Sequence, residues 1–218
     1  MKKQLLKFTS LFLCFALILS PIKSTAEQVD TRAQGRCISN SACNFKADMR
    51  KLWMDHLIWT SKYIVSSVAG MPDKDVILAR LLKNQQDTGN AIKPYYGAAV
   101  GDQLAKLLTT HIVIAGKIVD AAKSGDMATL KNLNDTWFKN ADDIAAFLSK
   151  ANPNWTNQEL KDLLYTHLKM VTNEVVTRIK KDWDGNVKAF DAGLQHILPI
   201  ADTISSGIIK QFPNKFKS

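Results

Sequence analysis

Two stretches of this 218-residue chain repeat the same pattern of polar and apolar residues, and the pattern is typical of an amphipathic helix. Positions 56–70 and 111–125 each begin with His, carry Lys at the seventh place and end with Gly at the fifteenth. Apolar residues between these marks recur at spacings of three and four, so they share one helix face. Gly suits the helix end, because it adopts a left-handed backbone conformation without strain. Each stretch therefore predicts a long helix with its histidine on the buried face.

The same spacing continues through the rest of the chain, interrupted by Gly and Pro. The other two histidines, His167 and His196, begin weaker copies of the pattern. One helix, at positions 73–88, is expected to be short, because Gly89 follows it as a stop signal. No segment alternates with the period of a β-strand. We predict an all-α fold over residues 46–212, an antiparallel bundle of about five long helices plus one short helix.

The first 26 residues have the features of a secretory signal peptide. A basic start precedes an apolar run at positions 8–20, and small residues at positions 24–26 favour cleavage after Ala26. An uncleaved N-terminal anchor is the alternative. The signal peptide predicts an exported protein, located in the periplasm or the extracellular space.

Polar segments are predicted at both ends of the mature chain. Residues 27–45 are expected to form an extended arm, which contains Cys37 and Cys43. Two cysteines six positions apart in an exported chain indicate a disulfide, and neither a CxxC spacing nor a nearby His supports a metal site there. Residues 213–218 are predicted to form a loose basic tail.

The charge and hydropathy of the mature chain argue against a nucleic-acid partner and against a membrane span, and the mild positive charge favours anionic surfaces of the cell envelope. The net charge falls from +9 to +5 on cleavage, because the segment removed holds four lysines and no acid. The remaining basic residues are scattered, apart from Lys180, Lys181 and three lysines near the C-terminus. A nucleic-acid binder usually shows a basic face interleaved with aromatic residues, and this sequence has none. No stretch after residue 26 predicts a membrane span. The expected partners are therefore a small ligand or a protein of the cell envelope.

All four histidines of the chain, His56, His111, His167 and His196, fall on or beside apolar stripes near the middle of separate helices. In an up-down bundle the middles of similar helices meet at one level, so these rings are expected inside it. Neutral imidazole is a good ligand for Zn, Cu, Fe or Ni. The pattern predicts a transition-metal site on these residues, with His196 its weakest member. A plain core, in which each ring bonds to a neighbouring polar group, is the alternative.

Acidic and aromatic residues provide the other candidates for a site. The acids that would assist a metal ion are Glu174, Asp142, Asp143 and Asp202. Six aromatic residues at helical spacing are predicted either to line an amphipathic pocket or to be ordinary core: Trp53, Trp59, Tyr63, Tyr95, Tyr96 and Trp137. The chain has no HExxH, CxxCH, Walker or GxSxG motif, and no acid lies three residues before a histidine. An enzyme is therefore the least supported class.

Four segments together resemble a family of small bacterial all-helical proteins of unknown function. They are positions 52–60 (LWMDHLIWT), 90–97 (NAIKPYYG), 137–148 and 210–213 (KQFP), and the likeness spans most of the mature chain. Some members of the family carry transferase-type names, and the resemblance implies a helical bundle without a function to carry over. The family often has an acid just before the second and third histidines, where this chain has Thr110 and Thr166.

Two hypotheses of function follow from the sequence. The first is an exported helical-bundle binding protein that holds a metal ion or small ligand among inward-facing histidines. The second is a structural or interaction protein of the cell envelope with no bound cofactor. Metal content of the protein taken from its own compartment distinguishes them.

Overall fold

The computed structural model describes residues 39–217. The predicted signal peptide, most of the predicted arm and Cys37 lie outside the described residues. Cys43 lies in the first turn of the first helix, α1 (Asn40–Ala69). The disulfide between Cys37 and Cys43 stays a prediction, and it would tie the arm to the start of α1.

Six helices make up most of the described chain. They are α1 (Asn40–Ala69), α2 (Lys74–Tyr96), α3 (Ala98–Ser124), α4 (Met127–Ala151), α5 (Asn157–Ile179) and α6 (Trp183–Gln211), followed by a 3-10 turn at Pro213–Phe216. Each helix packs against the next, and α6 returns to α1, while α1, α3 and α5 also meet across the interior. The predicted all-α antiparallel bundle is confirmed, and no strand occurs within residues 39–217. None of these six helices combines the length and apolar character needed to cross a membrane.

The short connections place the helix ends at two opposite ends of the bundle. The terminal end holds the start of α1, Gly97, the α4–α5 connection and the C-terminal turn. The distal end holds the turns at Gly70, Gly125 and Lys180–Asp182. Gly70 and Gly125 have φ of 68° and 75°, the left-handed caps that the sequence predicts. The middle of each helix therefore lies at a shared level between the two ends.

The second helix is not the short helix that the sequence predicts. It spans 23 residues, and Gly89, the expected stop, lies in its interior. The chain turns instead at Gly97, where φ is 83°, so Pro94 lies in the last turn of α2. A Cβ on Gly89 would lie 2.4 Å from the carbonyl oxygen of Gly101 in α3. Gly89 therefore allows two helix backbones to approach closely, and it does not end a helix.

Ordered structure extends into both segments that the sequence predicts to lie outside the bundle, the arm at 27–45 and the tail at 213–218. α1 begins at Asn40, six residues before the predicted start of the bundle, because Ser39 caps it and accepts from the Ala42 amide. At the other terminus Phe216 is only 2% exposed, whereas Lys215 and Lys217 are exposed. The Phe216 ring packs against Phe45 and Tyr95 at centroid distances of 5.3 and 5.2 Å. Phe45, at the end of the predicted arm, and Phe216, in the predicted tail, thus belong to an aromatic cluster that closes the terminal end.

This cluster leads to a prediction for the C-terminal turn. Phe216→Ala should lower the free energy of unfolding by roughly 3 kcal/mol, because it leaves a cavity between Phe45 and Tyr95. Lys215→Ala, one residue away and exposed, should change it by less than about 0.5 kcal/mol. Urea unfolding followed by circular dichroism measures both. Equal midpoints for the two variants would show that the tail contributes no packing energy.

Candidate functional site

Three of the four histidines meet at the centre of the bundle. His56 of α1, His111 of α3 and His167 of α5 are each at most 5% exposed. The ring centroid of His167 lies 5.4 Å from that of His56 and 6.3 Å from that of His111. Each histidine lies three or four residues from buried apolar neighbours on its own helix, so the helical period turns all three inward. We call this set of three residues the histidine layer.

His196 of α6 lies beside the layer and is only half-buried. Its Nε2 lies 2.8 Å from the carbonyl oxygen of Leu163, so Nε2 carries a proton and donates it. Within residues 39–217 its ring makes no stacking contact with the other three, which pack against each other through His167. The structure therefore brings together three of the four predicted ligands, and His196 occupies the weaker position that the sequence predicts.

Asn140 of α4 determines which nitrogen of His111 is protonated. The Asn140 amide nitrogen donates to the Leu107 carbonyl, so its Oδ1 is the atom 2.8 Å from His111 Nδ1. A carbonyl oxygen only accepts, and His111 Nδ1 must therefore donate. The lone pair of His111 is then on Nε2. This is the arrangement found in metal-ligating histidines, where the second nitrogen donates to an oxygen.

Gln85 of α2 favours the opposite tautomer of His56. Gln85 Nε2 donates to the Leu81 carbonyl at 2.9 Å and to Asn84 Oδ1 at 3.1 Å. The same nitrogen lies 3.3 Å from His56 Nδ1, but its two hydrogens are already directed at Leu81 and Asn84. An amide nitrogen does not accept a hydrogen bond, so His56 Nδ1 faces it with its lone pair and not with an N–H. The proton of the neutral His56 ring is consequently on Nε2. His56 would need a change of tautomer before Nε2 could bind a metal.

All three rings of the layer are neutral. Burial is the largest cause, since it disfavours the charged imidazolium, and it lowers the pKa of His56 to about 3 and that of His111 to about 4. The pKa of His167 is held well below 6.5 first by burial and then by the repulsion that would arise if it and a neighbouring histidine were protonated together. Neutral imidazoles carry a free lone pair at neutral pH, so no proton needs to leave before a metal binds.

Apolar layers flank the histidines on both sides. A cavity of about 20 Å³ lies next to Trp53 and Leu108, and another of about 20 Å³ lies next to Ile112 and Trp137. Each has room for about one water molecule, and their walls are apolar. Neither cavity accommodates an organic ligand without movement of the helices. The histidine layer is therefore a polar section within an otherwise apolar core.

The six aromatic residues do not form one pocket. Trp53 lines one cavity, whereas Tyr63 and Trp137 line the other. Tyr95 and Tyr96 belong to the cluster at the terminal end, and Trp59 stacks under the Arg80 guanidinium at the surface, 5.1 Å away. The pocket alternative is therefore wrong, and these side chains serve as core and as closure of the terminal end. The indole N–H groups of Trp53 and Trp137, beside His56 and His111, have no partner among the described residues.

The predicted acidic partners do not reach the layer. Asp142 bonds to Tyr165 and Lys161, Asp202 pairs with Arg50 at 2.7 Å, and Asp143 is exposed. Glu174 is buried two turns along α5 from His167, and burial raises its pKa although Ser61 donates to it. Among residues 39–217, no group of three or more His, Cys, Asp or Glu side chains converges on a point where a metal ion would fit. The three imidazole rings are in contact, but their nitrogens do not point at one common position.

The helical pattern of the sequence does not single out Gln85 and Asn140, the two amides that contact the layer. Each lies on the buried side of its helix, where Leu81 and Thr88 flank Gln85 and Trp137 and Ile144 flank Asn140. An amide at such a position needs a polar partner, since a buried unpaired amide costs free energy. An Asn or Gln on the apolar face of a predicted helix is therefore the sequence signal that could have identified Gln85 and Asn140.

The chain was compared with protein-family models, curated proteins and solved structures, and none of them matches it. The family resemblance therefore stays an expectation.

Proposed function

We propose that this chain is an exported helical-bundle binding protein that takes up a transition-metal ion in its histidine layer. The observation that carries the proposal is the meeting of neutral His56, His111 and His167 rings from three helices in one buried section. Ligand nitrogens about 2.0–2.1 Å from a tetrahedral ion place ring centroids roughly 5 Å apart. The observed 5.4 and 6.3 Å are close to that spacing. Export follows from the signal peptide predicted at residues 1–26.

The proposal assigns a distinct role to each ring. His111 is ready to bind through Nε2, because Asn140 holds its proton on the other nitrogen. His56 has to move its proton to Nδ1, and the Gln85 amide gives up its bonds to Leu81 and Asn84 as it turns its oxygen toward that proton. His167 lies between these two rings and needs only a rotation about its side-chain bonds. Imidazole ligands favour Zn²⁺, Cu²⁺ or Ni²⁺ over the hard cations Mg²⁺ and Ca²⁺.

A protein of the cell envelope that binds no cofactor is the second candidate. It is favoured by the absence of a converging donor set among residues 39–217 and by the tautomer of His56. In that case the layer acts as a polar section that fixes the register of α1, α3 and α5. Buried polar groups have this effect in some helical assemblies, where a mispaired register leaves them unsatisfied.

Thermal unfolding with added Zn²⁺ distinguishes the two candidates. Chelator-treated wild-type protein should melt at a higher temperature when Zn²⁺ is added, because a ligand that binds only the folded state adds stability, about 2.7 kcal/mol at a hundredfold excess over Kd. His111→Gln should abolish this increase, since it removes the ligand that is already oriented.

The matched control is His196→Gln, which removes the same chemical group beside the layer and should keep the Zn²⁺ response. Co²⁺ provides a second measurement, because its visible absorption spectrum reports tetrahedral nitrogen ligation. If wild type and His111→Gln respond equally to Zn²⁺, the metal-binding function is wrong and the cofactor-free protein remains.

A further inference from the structure

Large apolar side chains are exposed mainly at the distal end of the bundle. Seven such residues occur in the described chain, and only Val113 lies in the middle of a helix. The other six lie in or near the three distal turns: Met71, Val76, Met127, Val176, Trp183 and Val187. The terminal end buries its aromatic residues, so this exposure belongs to one end only. Exposed apolar groups concentrated in one place mark a surface for interaction.

The turn between α5 and α6 has an unusual backbone. It consists of Lys180, Lys181 and Asp182, and Lys181 has φ of 58°. Among the described residues Lys181 is the one non-glycine with positive φ. Glycine adopts this conformation without strain, whereas a residue with a Cβ does not. A lysine therefore occupies a position where glycine would be more stable, and strained residues of this kind occur at functional sites.

An exposed tryptophan follows this turn directly. Trp183 is 55% exposed, and the Arg178 guanidinium lies 5.0 Å from its ring centroid. Val187, one turn further along α6, is 61% exposed. Tryptophan has an apolar ring and a polar N–H, and it concentrates where hydrocarbon meets water at a membrane surface. A guanidinium held beside such a ring would lie at the level of the lipid headgroups, where it attracts their negatively charged phosphates.

The charges around Trp183 are mainly positive. Positions 178–188 contain four cationic side chains and two acids. The cations are Arg178, Lys180, Lys181 and Lys188, and the acids are Asp182 and Asp184. Asp182 is partly engaged, because its Oδ1 accepts from the Gly185 amide at 2.9 Å. The α1–α2 turn holds Asp73 and Asp75 around Lys74, and the α3–α4 turn holds Asp120 and Asp126 on either side of Lys123. Neither has the excess of two positive charges found at the α5–α6 turn. This charge is complementary to an anionic surface.

We propose that the α5–α6 turn docks on the surface of an anionic phospholipid bilayer. Trp183 and Val187 enter the headgroup region, and Lys180, Lys181 and Lys188 lie against lipid phosphates. The contact is peripheral, and it is independent of the histidine layer because the two lie on different parts of the bundle. A protein partner for the same surface would bind without lipid and is an outcome of the test.

Vesicle co-sedimentation tests the charge contribution. The purified protein should bind vesicles of phosphatidylcholine and phosphatidylglycerol in equal parts, and bind phosphatidylcholine vesicles much more weakly. Each lysine near the surface contributes about a fivefold change in affinity. Lys180→Gln/Lys181→Gln should therefore weaken binding about 25-fold. The control Lys106→Gln/Lys139→Gln removes the same charge from exposed positions on α3 and α4 and should have little effect.

Two further variants separate lipid contact from stability. Lys181→Gly should bind lipid about fivefold more weakly and yet unfold at a higher temperature, because it removes a charge and relieves strain. Trp183→Ser should weaken binding at least tenfold, whereas Val113→Ser, an exposed apolar control, should not. No binding to anionic vesicles, or equal weakening by the two lysine pairs, would overturn the proposal. Unchanged binding by Trp183→Ser would also overturn it.

Discussion

Acidification from pH 7 to pH 5 should lower the free energy of unfolding of this bundle by about 4 kcal/mol or more. In the unfolded chain each histidine takes up a proton near pH 6.5, whereas in the fold His56 and His111 do so only near pH 3 and 4. Below pH 6.5 the unfolded state therefore binds more protons than the folded state, and stability falls as pH falls. The loss continues until the pH reaches the folded pKa values.

The expected size follows from the two values. By pH 5 His56 and His111 each cost about 2 kcal/mol, roughly 4 kcal/mol together. His167 adds to the loss, because its pKa is lowered in the same direction. A domain of this kind has about 5–15 kcal/mol in total. Glu174 acts in the opposite direction, since its raised pKa favours the protonated acid in the fold, and it offsets part of the loss at the lowest pH.

Urea unfolding at a series of pH values measures this dependence. Below pH 6 the free energy of unfolding should fall by about 4 kcal/mol per pH unit, as expected for three protons taken up on unfolding. His111→Gln should reduce this slope by about one third, because one proton fewer is exchanged. A free energy that stays constant between pH 7 and pH 5 would contradict neutral histidines in the core.

Gly89→Ala should be the most damaging of the small substitutions in α2 and α3. The new methyl group would lie 2.4 Å from the Gly101 carbonyl oxygen and 2.7 Å from Ala105 Cβ. A backbone oxygen cannot move aside without moving its helix, so the two helices have to separate. Overpacking of this kind costs about 1–3 kcal/mol, or more where backbone is displaced. The better helix propensity of Ala returns only about 1 kcal/mol.

Gly116→Ala is the matched control for this substitution. Like Gly89 in α2, Gly116 lies in the interior of a helix, α3. The nearest atom to its new Cβ would be the Tyr63 hydroxyl oxygen, at 3.1 Å. A phenol at the end of a side chain can shift by a few tenths of an ångström, so propensity and contact nearly cancel. Thermal unfolding should show Gly89→Ala about 1–2 kcal/mol less stable than Gly116→Ala, because the displaced helix backbone puts the overpacking cost at the upper end of its range. Equal stabilities would mean that the close approach of α2 and α3 is dispensable.

The helices and the inward histidines were predictable because both depend on local periodicity. A residue such as His111, which continues a stripe of Leu104 and Leu108, has its direction set by its own helix. The end of a helix is less local. Gly89 carries the signal of a stop, and its role depends on Gly101 of the next helix, which the pattern along α2 does not reveal. The same holds for Phe216, whose partners precede it by more than a hundred residues.

The chemistry of the site was predictable only in its residue type. Four histidines on four stripes predict a meeting of rings, and three of them meet. Which ring nitrogen carries the proton depends on Asn140 and Gln85, which come from helices that contribute no histidine. A choice between two tautomers depends on the position of a single amide oxygen. Neither periodicity nor composition contains that information.

The Ser39 hydroxyl bonds to the Phe216 carbonyl, so the described chain begins and ends at neighbouring points. The order of the helices along the chain is therefore one of several that would give the same bundle. A short linker from Phe216 to Ser39, with a new opening at the exposed Gly125, would produce a circular permutant. Its four long-range helix pairings would be retained, and only the turn between α3 and α4 would lose its covalent connection. Reporter domains attached directly at Ser39 and Phe216 would likewise lie side by side, at the opposite end of the bundle from the turn that carries Trp183.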